Sequence, residues 1–465
     1  IRPNEVRRFG RLDDDQRAAG MVLACSARLG SEDVSVAVPE QMDVDATTEV
    51  ATGHVHTAHG RLPAEESAPT PAVSRLPVSV PAPREEDGMS DAERLERALP
   101  ADGDRMPLRI PLPLLRDLPG LLREAEGAVT VDIYCEGGFG HVVQILPGHE
   151  TEGPFGLAID VGTTTIAVQL VDLRKAESVA LKSGYNDQVH SGADVISRIN
   201  VARRPDGRET LRRQVVDSIN RLIRGVCERR LTPERVAAVS LAGNTTMIHL
   251  LAGIEPEFIR LAPYTPAVFT VPGLRAQALE LCIAPPAPVH LAPAVASYVG
   301  GDIASGVLCT GLAREQDEVE LFIDIGTNGE IVCGNREFLM TCACSAGPAF
   351  EGGGVTQGMR AAPGAVEEVA IDGATGRPSW KTVDDRPPRG ICGTGLLSLI
   401  ANLFSTGWLE PNGKFPRERT CEWICREGRE ASYEICSAAE TGIDGPLRVS
   451  ERDIESLLRA KAAVY

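Results

Sequence analysis

The chain has 465 residues, 43% of them hydrophobic, and a formal net charge of −18 at pH 7. That length divides into about two to four domains with real cores, while the acidic balance argues against a nucleic-acid binder, which needs basic surface to displace counterions. No run of about 18 apolar residues occurs, so no membrane span is expected.

The first residues, "IRPNEVRRFG", lack the apolar stretch of a secretory signal. They predict a cytoplasmic protein whose twelve cysteines are mostly reduced thiols. The chain does not begin with Met, so a processed or incomplete product is expected.

Within residues 1–40, "RLDDDQRAAGMVLACSARL" reads as a short helix and a tight apolar strand around Cys25, and "DVSVAVPE" alternates as a half-buried strand. So short a segment makes no core alone and is read as the remnant of a larger domain. Residues 41–93 hold six prolines, no aromatic residue and no cysteine, a composition that predicts a mobile, extended linker. His54, His56 and His59 fall in it and are read as solvated rather than metal-bound. Residues 94–153 follow as a small α+β module, with a capped helix at "DAERLERAL", helical turns at "PLPLLRDLPGLLREAEG", and strands at "AVTVDIYC" and "HVVQILPG". Cys135 is read there as structural. From about 154 onward, strands alternate with helices as in an α/β domain.

That last region contains one hairpin twice. "FGLAIDVGTTTIAVQLVDL" (155–173) and "LFIDIGTNGEIVCGN" (321–335) each run strand, Asp, Gly-Thr turn, strand. Glycine lets a backbone approach an anion closely, and turn amides and Thr hydroxyls donate to phosphate oxygens. The candidate nucleotide-binding residues are therefore Gly162, Thr163, Thr164, Thr165, Gly326, Thr327, Asn328 and Gly329. The carboxylates of Asp160 and Asp324 must face a cation instead, and Mg²⁺ takes one or two carboxylates and keeps several waters. One Asp-x-Gly-Thr is common in turns. Two copies at lobe spacing imply that each lobe supplies one wall of a nucleotide–magnesium site.

Further candidates are less specific. Asp302, in "GGDIASG", suits water orientation or the magnesium shell, but also an ordinary N-cap. Glu330 suits holding a water, and Asn328 a phosphate. Glu351, in "AFEGGG", suits a ribose contact or a strand end. Asn244, Thr245 and Thr246 follow an apolar strand and read equally as a helix cap. Cys342 and Cys344, like Cys421, Cys425 and Cys436, match no common zinc or cluster spacing and are read as thiols.

"AIDVGTTT" and "FIDIGTNGE" resemble the two phosphate motifs of the actin, chaperone-ATPase and sugar-kinase superfamily. "NDQVHSGADVISRI" (186–199), "LAGNTTMIHLL" (241–251), "YVGGDIASG" (298–306), "CSAGPAFEGGGVTQGMRAAPGA" (344–365), "GICGTGL" (390–396) and "DIESLLRAKAAV" (453–464) narrow this further. Together they resemble the ATP-dependent reductive activators of corrinoid enzymes, over essentially the whole chain. The resemblance implies a ferredoxin-fold remnant with Cys25 as one 2Fe-2S ligand (1–40), a disordered linker (41–93), a small α+β middle domain (94–153) and a two-lobed α/β ATPase domain (154–465). Lobe one spans about 154–315, and lobe two starts at about 316. A helix crossing the cleft is implied at Asp302.

The loop with the other three cluster cysteines and the Gly-Gly-Phe-Gly adenosine motif are not found. The chain is thus expected to be truncated at both ends, with an incomplete second lobe, no cluster of its own and no activity as a fragment. "ICGTG" (391–395) is expected to line the cleft without being the adenosine motif. Implied cofactors are ATP and Mg²⁺, with 2Fe-2S only in the full-length protein. Implied partners are a corrinoid protein and a low-potential electron donor, with no nucleic acid or membrane, and a homodimer is left open. The implied activity is ATP-coupled reduction of a corrinoid protein from Co(II) to Co(I). The alternatives are a small-molecule kinase of the sugar-kinase type and a nucleotide-gated protein-binding clamp.

Overall fold

Strand β1 (Val73–Ser79) begins the computed structural model, which describes residues 71–464 except 101–105, 193, 313–316, 327, 345–346, 352–353, 360 and 429. Cys25, His54, His56, His59 and the ferredoxin-like segment lie outside the described residues, as does Thr327. Helix α1 (Asp91–Ala98), β2 (Leu108–Arg109), α2 (Leu112–Glu124), β3 (Ala128–Glu136) and β4 (Phe139–Pro147) follow β1, and the sheet order is β1-β3-β4-β2. α1 starts from a capping box in which Ser90 and Glu93 exchange side-chain and backbone hydrogen bonds.

β1 corrects one expectation, because it lies inside the stretch 41–93 read as an extended linker. It pairs antiparallel with β3 from Val73↔Tyr134 to Ser79↔Ala128. The prolines misled the reading. Pro77 sits on an edge strand, where a missing N–H costs little, and Val73 and Val78 are buried. Arg75 holds the strand down. Its guanidinium grips Asp132 of β3 at 2.7 Å through both Nε and Nη2, with side chains 5% and 0% exposed, and Gln144 of β4 donates to the same carboxylate at 2.7 Å.

The first lobe contains β5 (Phe155–Val161), β6 (Thr165–Asp172), β7 (Glu177–Tyr185), α3 (Val195–Ala202), α4 (Gly207–Cys227), β8 (Val236–Gly243), α5 (Thr245–Ala252) and β9 (Val289–Leu291). Its sheet runs β7-β6-β5-β8-β9, with β5, β8 and β9 parallel. α4 presents Leu211, Val215, Ile219 and Ile223, spaced one helical turn apart, to the sheet and buries them fully. Each such side chain contributes about 1.5–3 kcal/mol of burial. Val73 and Val143 join this core, so the small sheet docks on lobe one.

Helix α6 (Gly301–Thr310) leads to β10 (Glu320–Ile325), β11 (Gly329–Gly334) and β12 (Leu339–Cys344), an antiparallel sheet in that order. Strands β13 (Ala365–Ile371), β14 (Pro378–Thr382) and β15 (Gly390–Ile391), helix α7 (Gly393–Ser405), strands β16 (Ile424–Glu427), β17 (Glu430–Cys436) and β18 (Leu447–Ser450), and helix α8 (Glu451–Val464) complete the described residues. They share a second core around Val369, Leu399, Trp408 and Tyr433. Among the described residues β10 is laddered on one side only, whereas β5 is laddered on both, and Leu321, Ile323 and Ile325 of β10 stay exposed. No helix among the described residues is long and apolar enough to cross a membrane.

Arg75→Met removes the guanidinium and leaves the buried Asp132 carboxylate with only Gln144. The loss of such a partner costs about 3 kcal/mol. Amide hydrogen exchange across residues 128–136 is expected to speed up by roughly 100-fold; unchanged exchange there would show that β1 is not integral to the sheet.

Candidate functional site

The two hairpins are built alike. Asp160 is the penultimate residue of β5 and Asp324 the penultimate residue of β10, residues 162–164 join β5 to β6, and Gly326 and Asn328 lie between β10 and β11. Gly162 is required by close approach, since a Cβ there would lie 2.5 Å from the Thr165 carbonyl oxygen. In the second turn the Gly326 amide donates to the Asn328 carbonyl at 2.8 Å.

Buried side chains hold the first turn from behind. Asn186 Nδ2 donates to the Gly162 carbonyl at 3.0 Å, and its backbone amide donates to the Thr164 carbonyl at 2.9 Å. Arg198 donates to the Thr163 carbonyl, and Asn244 Nδ2 to the Thr163 hydroxyl at 3.0 Å. Asn244 also caps α5, accepting from the Met247 amide at 2.9 Å. The cap reading and a role at the turn thus coexist in one residue. Asn186 and Arg198 were not singled out from the sequence. The detectable signals were a polar Asn-x-Gln run after a strand and an arginine on the apolar face Val195, Ile199, Ala202 of α3.

Glycines bring a third element to the same place. A Cβ on Gly243, the last residue of β8, would lie 2.9 Å from the Val161 carbonyl oxygen, and one on Gly300 would collide with Asn244 Cα and lie 2.6 Å from the Gly243 carbonyl oxygen. The start of α6 therefore seats directly on the ends of β5 and β8. The N-cap is Gly300, so Asp302 lies in the first turn and is not the cap; its Oδ1 accepts from the Ile303 amide at 2.9 Å.

This packing gathers acids. Asp160 opens to solvent, yet the protein around it, then the charges of Asp302 and Asp324, push its pKa up to about 6. Burial and then Asp324 hold Asp302 at about 6 against the opposing Ile303 hydrogen bond. Glu330 lies opposite Asp324 in the β10–β11 register and is 6% exposed. Burial first, then Asp302 and Asp324, raise it to about 8, while a hydrogen bond with Asn328 opposes the rise. Like charges held at one place favour protonation or a cation.

Among the described residues no group of three or more His, Cys, Asp or Glu side chains is placed to hold a metal ion. A cation here would thus take few protein ligands and draw the rest from water and phosphate, which fits Mg²⁺. The eleven described cysteines, Cys342, Cys344, Cys421, Cys425 and Cys436 among them, are free thiols.

The backbone of Glu351 ends a 3-10 turn (Pro348–Glu351), and its side chain lies outside the described residues. Gly393 and Gly395 of "GICGTG" are explained by packing, since a Cβ on either would strike the Phe350 or Val366 carbonyl. A cavity of about 570 Å³ beside Arg204, Arg208 and Glu255 shares no residue with the hairpins and is separate from this site.

Three family models match in succession: the RACo linker region at 64–152, the RACo middle region at 155–315, and the C-terminal ASKHA domain of RACo at 318–465. A solved structure, a reductive activator for corrinoid, iron-sulfur protein, is 41% identical with a TM-score of 0.78 and covers 98% of this chain and 73% of its own. The corrinoid activation enzyme RamQ of Eubacterium limosum is 29% identical over 334 residues, 70% of this chain and 56% of that protein. The Co(II) methylated amine-specific corrinoid protein reductase of Methanosarcina barkeri is 24% identical over 296 residues, 56% of this chain and 53% of that protein. The chain spans about half the length of these two curated relatives.

The raised carboxyls set a pH dependence. Unfolded, these groups ionise near their ordinary values of 3.8 and 4.5; folded, Asp160 and Asp302 ionise near 6 and Glu330 near 8. The folded state binds more protons across that window, so stability falls as pH rises from about 4 to 8. Without divalent cations, the calorimetric melting temperature should decline between about pH 6 and 8, where the carboxylates held below their ordinary values are already ionised. In Glu330→Gln the decline should stop by about pH 7, leaving the variant more stable than wild type at pH 8. Equal slopes for the two proteins would refute the buried, charge-coupled Glu330.

Proposed function

The chain belongs to the RACo family of reductive activators of corrinoid proteins, and from that premise we propose that it is the ATP-hydrolysing part of a protein that returns a corrinoid protein from Co(II) to Co(I). The observation that carries this reading is the mutual field of Asp160, Asp302 and Asp324, drawn from both hairpins and the helix between them. A nucleotide–magnesium complex suits such a place, since it brings positive charge for the acids together with phosphates for the two turns.

In this reading Asp160 and Asp324 hold the waters of the ion. The turns Gly162–Thr165 and Gly326–Gly329, with Thr163, Thr164, Thr327 and Asn328, donate to phosphate oxygens, and Glu351 reaches the ribose. Asp302 orients the attacking water. Glu330, protonated at neutral pH, sits behind Asp324 as a proton reservoir. Magnesium, when bound, neutralises phosphate charge as it develops in transfer. ATP and water yield ADP and phosphate. Separately, one electron from a low-potential donor passes through the 2Fe-2S domain of the full-length protein and converts Co(II) to Co(I). The two events couple if the nucleotide state changes the affinity of the activator for the two cobalt states of its partner.

In a polypeptide completed at both ends, with a ferredoxin domain and the rest of the second lobe, Asp160→Ala and Asp324→Ala should each lower magnesium-dependent ATP hydrolysis by about 100-fold or more. Co(I) formation, followed by absorbance with a low-potential reductant, should fall with it. A variant that keeps hydrolysis near wild type would sink the two-walled site. Hydrolysis without any effect on cobalt reduction would favour the nucleotide-gated clamp.

A further inference from the structure

Arg198 of α3 is fully buried, at 0% exposure, and lies directly behind the first turn. Its Nε donates to the Gly192 carbonyl at 2.9 Å, Nη1 to Gln188 Oε1 at 3.0 Å, and Nη2 to the Thr163 carbonyl; Nη1 also touches Met247 Sδ at 3.1 Å. Every one of these acceptors is neutral. Among the described residues no carboxylate lies within ion-pair distance, and Asp194, the acid that acts on it, is an exposed helix cap engaged with Ser197. Burial lowers the pKa only to about 10, so the guanidinium keeps its charge at neutral pH.

A buried cation without an anion costs several kcal/mol. Its hydrogen bonds are satisfied, so what is missing is negative charge and not an acceptor. The Thr163 carbonyl belongs to the same peptide unit as the Thr164 amide. Donation into one end of a peptide strengthens donation from the other. The acids of the site, Asp160 on this hairpin, Asp302 on α6 and Asp324 on the other hairpin, repel an anion. Arg198 is a positive charge at this turn that offsets them from behind.

We propose that Arg198 is the buried counter-charge for the phosphate taken by the Gly162–Thr165 turn, acting through the Thr163 peptide without touching the nucleotide. It is a positioning residue that selects for phosphate charge. The inference rests on the reading that this turn binds ATP.

The test is calorimetric titration of the protein completed at both ends with Mg·ATP, Mg·ADP and AMP, for wild type, Arg198→Lys and Arg198→Gln. Gln removes the charge and, with its amide nitrogen where Nε stood, keeps a donor only for the Gly192 carbonyl; Lys keeps the charge. Arg198→Gln should weaken Mg·ATP binding by about 10–100-fold, Mg·ADP by less and AMP by the least, while Arg198→Lys stays within about 5-fold of wild type. If Arg198→Gln does not fold by circular dichroism, Arg198→Met, which fills the space without charge, takes its place with the same expectation. A purely structural role would weaken all three nucleotides alike and make Lys as poor as Gln, and either result overturns the inference. So does a folded neutral variant with wild-type affinity. A wild-type protein completed at both ends that binds no Mg·ATP overturns the nucleotide reading, and this inference with it.

Discussion

The arrangement depends on three backbones meeting at one point. The end of β5, the end of β8 and the start of α6 approach so closely that Gly243 and Gly300 leave no room for a Cβ. This contact is steric, so it is insensitive to pH and salt, and it sets where Asp160 and Asp302 stand. A larger residue at position 300 would displace α6 from Asn244. Asn244 reaches Thr163 on one side and Met247 on the other. Displacement there would pass into the first turn and the N-terminus of α5 together.

Given that constraint, the electrostatics follow. Four carboxylates cannot all ionise side by side, and three of them are pushed above their ordinary range. The opposing positive charge, Arg198, stands behind the first turn and makes no ion pair with them among the described residues. The first turn is therefore held between negative charge on the ligand side and positive charge on the core side. A salt bridge across it would have satisfied the protein. Keeping the charges apart suits the proposed ligand, which carries both phosphate and a divalent cation.

The repeated hairpin was legible because its signal is local. Strand alternation, a Gly-Thr turn and a preceding Asp occupy a few consecutive residues, and both copies fold as β5–β6 and β10–β11 with the acid at the same place. The helices and strands of the small domain were legible for the same reason. β1 was not, since six prolines across 41–93 outweighed a short alternating run, and the partner that rescues it, Asp132, lies 57 residues away. Asn186 and Arg198 escaped notice because a buried polar residue looks like a surface one until its acceptors are known. The raised pKa of Glu330 was equally invisible, since it arises from Asp302 and Asp324 in space. Residues such as Cys25 and Thr327 lie outside the described structure, and their readings rest on pattern alone.

Helix α6 extends the argument from charge to packing. Its first turn is locked to lobe one through Gly300, and its middle is pressed against the second hairpin, where a Cβ on Gly306 would lie 2.5 Å from Phe322 Cζ. Val299, Ile303 and Val332 bury a small common core there. That core is far smaller than the one inside lobe one. A ligand drawing Asp160 and Asp324 toward one cation would remove the repulsion that now stands across α6.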